Sequence, residues 1–136
     1  MIFVDANIFL EVALDDVRSK ECKTLFSHIH KGQVQGITSD FIVYTCLLQI
    51  ESKTQSVENM QKFLVFLNSL EGMKIDSPRF ETLYAALTIM PKYGMDFDDA
   101  LVVAIMISSG VEELVSFDKD FDNVKGIKRI EPRNVD

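Results

Sequence analysis

Ile2-Phe3-Val4-Asp5-Ala6-Asn7-Ile8-Phe9 opens the chain with a short, unbroken apolar run, then an acid, then apolar residues at a new spacing. A continuous run this short reads as a strand covered on both faces, and such strands belong to parallel sheets. Ile8, Phe9, Val12 and Ala13 then recur with the period of a helix until Asp15-Asp16 interrupts. The first unit is therefore strand, acidic turn, helix.

The same alternation continues outward from this unit. Arg18 to Lys31 keeps Cys22, Leu25, Phe26 and Ile29 on one helical face and meets Gly32 as a stop signal. Val34 to Thr38 reads as a strand, after which Ser39 can cap a helix carrying Phe41, Ile42, Thr45 and Leu48. A helix over Val57 to Leu70 is read as ending at Gly72, and Met73 to Ile75 as a strand. Ser77-Pro78 has the form of a cap and first helical position, for a helix running toward Met90. Asp96 or Phe97 opens the most apolar helix, through Ser108 and Gly110. Leu114 to Ser116 reads as another buried strand, ending near Asp118, and Lys128 to Ile130 as an edge strand. Short strands alternating with helices place a parallel sheet between helix layers, the α/β class. No linker or internal repeat divides the 136 residues, so a single domain over 1–136 is expected.

Composition narrows the function classes. The longest apolar run, Ala100 to Ile107, is less than half of the roughly 20 residues a membrane-crossing helix needs, and it reads as core. The start of the chain lacks the basic segment and small-residue cleavage site of a secretory signal, so a cytoplasmic protein is expected. Cys22 and Cys46 have neither C-x-x-C spacing nor a His pair nearby, and read as reduced packing residues. A formal charge of −7 argues against a broad basic grip on nucleic-acid phosphates, so any contact with a nucleic acid has to be local. The same charge suits a basic partner segment. There is no Gly-rich phosphate loop, no G-x-S-x-G elbow and no Cys with a recognisable His partner. His28 and His30 are two apart on a helix, point to different faces and are expected in solvent.

The acids remain. In open α/β sheets ligands gather beyond the carboxyl ends of the strands, where Asp5 and Asp118 both lie. Helix starts face the same edge, which brings in Asp99, in the first turn after Asp96. Like charges about 4 Å apart repel by roughly 4 kcal/mol at an effective dielectric near 20, so such a cluster calls for a divalent cation. Hard oxygen ligands select Mg²⁺ or Mn²⁺, which would bind a phosphate, lower the pKa of a bound water and stabilise a leaving oxygen. Each acid also has a local reading. Asp96, Asp98 and Asp122 read as caps or turn residues; Asp5 can equally cap the helix after it, and Asp118 the Phe117 to Phe121 turn. Asn7 can orient a carboxylate without adding charge, or cap a helix.

Four segments, in order, resemble the motifs of the PIN-domain family: Val4-Asp5-Ala6-Asn7, Ile37-Thr38-Ser39-Asp40, Phe97-Asp98-Asp99-Ala100-Leu101, and Leu114-Val115-Ser116-Phe117-Asp118-Lys119-Asp120-Phe121. The resemblance covers nearly the whole chain. It implies a three-layer α/β/α sandwich with a short, mainly parallel central sheet, usually dimeric, that cleaves RNA with Mg²⁺ or Mn²⁺. Asp5, Asp99 and Asp118 carry over as the catalytic and metal-binding acids, and Asp120 as an auxiliary acid. Ser116 stands where the family often has Thr, and with Asn7 is assigned to substrate. Many compact members are VapC-like toxins held inactive by a small antitoxin with a basic tail.

One position departs from the family. A Glu is usual on the helix after the second strand, and Thr45 stands there, bringing no charge. Asp40 and Glu51 turn away from that face, so Asp96, on the side of Asp99, is the better substitute and a second auxiliary acid. Weaker metal binding than a full cluster gives is expected. The missing Glu also motivates a second reading, a weakened or inactive PIN-like module that binds RNA or protein. A receiver-like phosphoacceptor would need an acidic pair after the first strand, where this chain has Asp5 followed by Ala6.

Overall fold

The computed structural model describes residues 1–135; Asp136, the last residue of the expected domain, lies outside the described residues. Strands β1 (Ile2–Val4), β2 (Gly36–Ser39), β3 (Met73–Asp76), β4 (Glu113–Val115) and β5 (Lys128–Ile130) form one sheet in the order β3-β2-β1-β4-β5. All neighbouring strands pair in parallel, with Phe3 opposite Ile37 on one side and Leu114 on the other. Helices α1 (Ala6–Ala13), α2 (Ser19–His30), α3 (Asp40–Thr54) and α4 (Val57–Asn68) fill the crossovers from β1 to β3. The return from β3 to β4 carries α5 (Phe80–Tyr93) and α6 (Phe97–Ser109). Right-handed crossovers running in opposite directions put α1 to α4 on one face of the sheet and α5 and α6 on the other. Accordingly α1 packs on α2 and α3, α3 on α4, and α5 on α6. This is the expected three-layer sandwich.

The apolar opening reads as it does because β1 is central. Phe3 and Val4 are fully buried between β2 and β4, with helices on both faces. Ala100 through Met106 are buried without a break, which explains why α6 is apolar on all sides: it has no solvent face along that stretch. Ile107, the end of the same run, is exposed. Cys22 and Cys46 are buried and unbridged, as expected, and burial pushes both thiols up to about 12.

Two local expectations are corrected. Ser77-Pro78 does not start α5; Arg79 occupies the cap position in an extended conformation, without a side-chain cap, and the helix begins at Phe80. Pairing of Asp76 with Ser39 keeps β3 extended to its end, and the chain needs residues 77–79 to turn. Nor is Gly72 the stop of α4, which is already capped at Ser69. Gly72 is there for close approach: its N–H donates to the Ile29 carbonyl at 3.2 Å, and a Cβ would lie 2.5 Å from that oxygen and 2.9 Å from the Val34 oxygen. His28 is half-buried, whereas His30 is exposed and pairs through Nδ1 with the Ser69 carbonyl at 2.9 Å.

Candidate active site

The strand order reverses between β1 and β4: β2 and β3 continue on one side, β5 on the other. A crevice opens beyond the carboxyl ends at such a reversal. Asp5 leaves β1 there, its N–H donating to the Val115 carbonyl at 3.1 Å. It both caps α1 and belongs to the site. Oδ1 accepts the Ala6 N–H at 2.8 Å, while Oδ2 accepts the Ser116 hydroxyl at 2.7 Å and the Asn7 amide at 3.4 Å. Only 8% exposed, its carboxyl is raised by burial and by the charges of Asp118 and Asp98, against the pull of the Ser116 and Ala6 hydrogen bonds.

From β4 the chain enters a 3-10 turn, Lys119–Asn123, capped by Asp118, whose Oδ1 accepts the Asp120 N–H at 2.9 Å. The Ser116 hydroxyl also accepts the Asp118 N–H at 3.0 Å and an Asn7 amide hydrogen at 3.2 Å, and Asn7 Oδ1 accepts the Phe117 N–H at 3.4 Å. Ser116, expected to bind substrate, is fully buried and offers it no surface; the hydroxyl joins Asp5 to the Asp118 backbone. Asn7, assigned like Ser116 to substrate, is half-buried and spends its amide on the same joint, donating to the Asp5 carboxylate and the Ser116 hydroxyl.

The third approach is α6. Asp98 accepts the Asp99 N–H at 3.0 Å, a local role as expected, whereas Asp96 occupies the cap position with no side-chain cap bond. Asp99 is half-buried and titrates at about 7, pushed up by burial and then by the charges of Asp98, Asp118, Asp5 and Asp120. The carboxylates close enough to share one ion, among the described residues, are those of Asp99, Asp118 and Asp120, with oxygens within 4.8 Å of one another. Asp5, also expected as a metal ligand, is not in that group, and both its oxygens accept hydrogen bonds within the protein. Asp96 and Asp120 line the same cleft as Asp99, about 270 Å³, with Tyr93 and Asn123 on its wall. A larger cavity of about 630 Å³, lined by Lys74, Arg79, Thr82 and Ser108, holds none of these site acids.

No Lys or Arg among the described residues forms an ion pair with Asp99, Asp118 or Asp120. Converging hard oxygens, a raised carboxyl and no protein cation to relieve it fit a divalent metal of the Mg²⁺ or Mn²⁺ kind. Thr45 brings no carboxylate, and its hydroxyl donates to the Phe41 carbonyl of its own helix at 2.9 Å.

The sequence reading missed two arginines around the acidic turn. Arg129 donates from Nε to Asp122 Oδ1 at 2.8 Å and from Nη1 to the Ser116 carbonyl at 2.9 Å, so Asp122 is an ion-pair partner and not merely a turn residue. The Arg18 guanidinium lies 3.6 Å over the Phe117 ring and pairs with Glu21 and Glu131. Alternation in β5, which sets Arg129 on the opposite face from Lys128 and Ile130, was the available signal.

Fold and site together define a class: a parallel α/β domain with a cluster of carboxylates at the switch point of its sheet. The sequence matches the PIN domain family over residues 2–127, and the chain belongs to that family, a family of nucleases. No curated protein matches it. Among solved structures, the fold is similar to that of VapC20 from Mycobacterium tuberculosis, described as a sarcin-ricin loop cleaving toxin: TM-score 0.75, 16% identity, covering 90% of this chain and 93% of that one. A toxin-antitoxin complex from Klebsiella pneumoniae gives 0.73 at 15% identity, covering 99% and 100%. VapBC2 from Rickettsia felis, bound to a DNA fragment of its promoter, gives 0.75 at 14% identity, covering 96% and 98%.

Proposed function

We propose that this chain, as one domain, is a Mg²⁺- or Mn²⁺-dependent endoribonuclease that cuts RNA phosphodiester bonds and acts as the toxin of a VapBC-type pair. The observation that carries the reading is the meeting of Asp99, from the first turn of α6, with Asp118 and Asp120, from the 3-10 turn after β4, with oxygens within 4.8 Å of one another. Those three residues would hold the cation, which when bound supplies Lewis-acid stabilisation of charge developing on phosphate oxygens. Asp5, fixed by Ser116, Asn7 and the Ala6 N–H, holds the end of β1 to the Asp118 segment. Asp96 and Asn123 face the cleft beside the acids, where an RNA strand would run.

The toxin role is supported by fold likeness to structures described as VapC20 and as toxin-antitoxin complexes. An antitoxin with a basic tail suits a chain of charge −7 whose pocket is acidic. A homodimer is supported by Phe80, Tyr84 and Leu87, a one-faced stripe on α5 that is 70%, 63% and 55% exposed. No helix is long and apolar enough to cross a membrane; the proposed place of action is the cytoplasm, with its RNA.

Thr45 favours the second reading, a weakened or inactive PIN-like module that binds RNA or protein, because it brings no carboxylate. Asp120 supplies one instead, which is why the enzyme is preferred. Incubating RNA with the protein and Mn²⁺, with and without chelator, separates them. Metal-dependent cleavage that is lost in Asp118→Asn and in Asp5→Asn is expected. An inert wild type, or cleavage that survives Asp118→Asn, contradicts the enzyme.

A further inference from the structure

Asp118, Asp120 and Asp122 set like charges at alternate positions of one short turn. Such a segment tends to spread, yet here its two ends are joined by a single planar group. Arg129 comes from β5 with its side chain only 12% exposed. Nε and Nη2 reach Asp122 Oδ1 and Oδ2 at 2.8 and 3.3 Å, and Nη1 reaches the Ser116 carbonyl at 2.9 Å. Ser116 precedes Asp118 and Asp122 follows Asp120, so the guanidinium spans the pair of site acids without forming an ion pair with either.

We infer that Arg129 is a positioning residue for the cation site: by clamping Ser116 to Asp122 it sets the spacing of the Asp118 and Asp120 carboxylates against Asp99. The inference rests on the cation-site reading above. Partners that orient metal ligands in this way are typically worth about 10–100-fold in metal affinity when removed. Charge works in the opposite direction. Arg129 is close enough to Asp118 for the two charges to interact, and a fixed positive charge beside a cation site opposes binding. Loss of affinity on removing Arg129 therefore reports position, and a gain reports charge alone. Lys keeps the charge but has no planar fork to reach Asp122 and the Ser116 carbonyl together.

The test is calorimetric titration of Mn²⁺ into folded wild type, Arg129→Lys, Arg129→Ala and Asp122→Ala, with thermal melts run in parallel. Wild type is expected to bind saturably and both Arg129 variants to bind about 10–100-fold more weakly. Asp122→Ala, an exposed change that frees one arm of the clamp, is expected to weaken binding in the same sense. Wild-type or tighter affinity in Arg129→Ala overturns the clamp. If the Arg129 variants do not fold, Asp122→Glu, which keeps the charge but shifts the carboxylate from the guanidinium, decides: a weakened affinity supports the clamp and an unchanged one overturns it. A wild type that takes up no Mn²⁺ overturns the cation-site reading and the clamp with it; a binding wild type with unaffected variants overturns the clamp alone.

Discussion

Asp5 and Asp99 are both carboxylates that the fold holds where ionisation is costly, and they carry that cost differently. Asp5 is buried but receives donors from Ser116, Asn7 and the Ala6 backbone, so its charge is solvated by the protein. Asp99 faces Asp98, Asp118, Asp5 and Asp120 with no protein cation and titrates at about 7 instead of 3.8. With the folded value above the unfolded one, the folded state holds a proton that the unfolded chain releases. Stability of the cation-free protein thus falls as pH rises from about 4 to about 7 and levels off above that. The raised carboxyl of Asp5 acts in the same direction, while Asp122 and Glu131, held low by Arg129 and Arg18, contribute stability that is lost only at more acid pH. Unfolding followed in chelator should therefore show a midpoint several degrees higher near about pH 5 than near about pH 8, with Mn²⁺ closing part of the gap. Asp99→Asn should flatten the dependence, and a wild type whose stability rises across that window would contradict the assignment. At this scale the sequence carried much of the site, because Asp at strand ends and in a helix's first turn is a visible pattern. That the oxygens of Asp120, and not those of Asp5, lie within 4.8 Å of Asp99 and Asp118 was not visible. It depends on a hydroxyl 111 residues away turning one carboxylate inward.

Element boundaries followed from local chemistry wherever a local signal decided them. Ser39 caps α3 through its hydroxyl, Gly94 and Gly110 end α5 and α6 in the left-handed conformation, and β5 covers the expected residues. The failures came where a distant neighbour decided. Ser77-Pro78 has the composition of a helix start, but pairing of β3 with β2 holds the chain extended through Asp76. Gly72 has the composition of a helix stop, but its place is set by the carbonyls of Ile29 and Val34, which leave no room for a side chain. Because those neighbours are backbone atoms, they cannot swing aside. Gly72→Ala should lower unfolding free energy by about 1–3 kcal/mol, read from urea denaturation, through strain at the α2–β2 junction. Unchanged stability would mean that this junction is looser than the contacts imply.

Over the whole molecule, alternation of strand and helix with buried runs at Ile2–Val4 and Ala100–Met106 was enough to place the chain among parallel α/β folds. Periodicity says which face of a helix is apolar but not what covers it, and α5 shows the difference. Thr82, Ala86 and Ile89 face inward while Phe80, Tyr84 and Leu87 form a second apolar stripe outward. A second copy of the chain is the proposed cover. Light scattering should give twice the chain mass for wild type and the single mass for a Tyr84→Lys, Leu87→Lys variant that melts normally; a monomeric wild type would remove the dimer.

The central claim is that an acid of α6 and two of the turn after β4 form one seat for a hard divalent ion. Crystals grown with Mn²⁺ and measured for its anomalous scattering test this most directly. The account predicts a peak between the carboxylates of Asp99, Asp118 and Asp120, with Asp5 still bonded to Ser116. An ion held elsewhere, or no ion at saturating Mn²⁺, would contradict it.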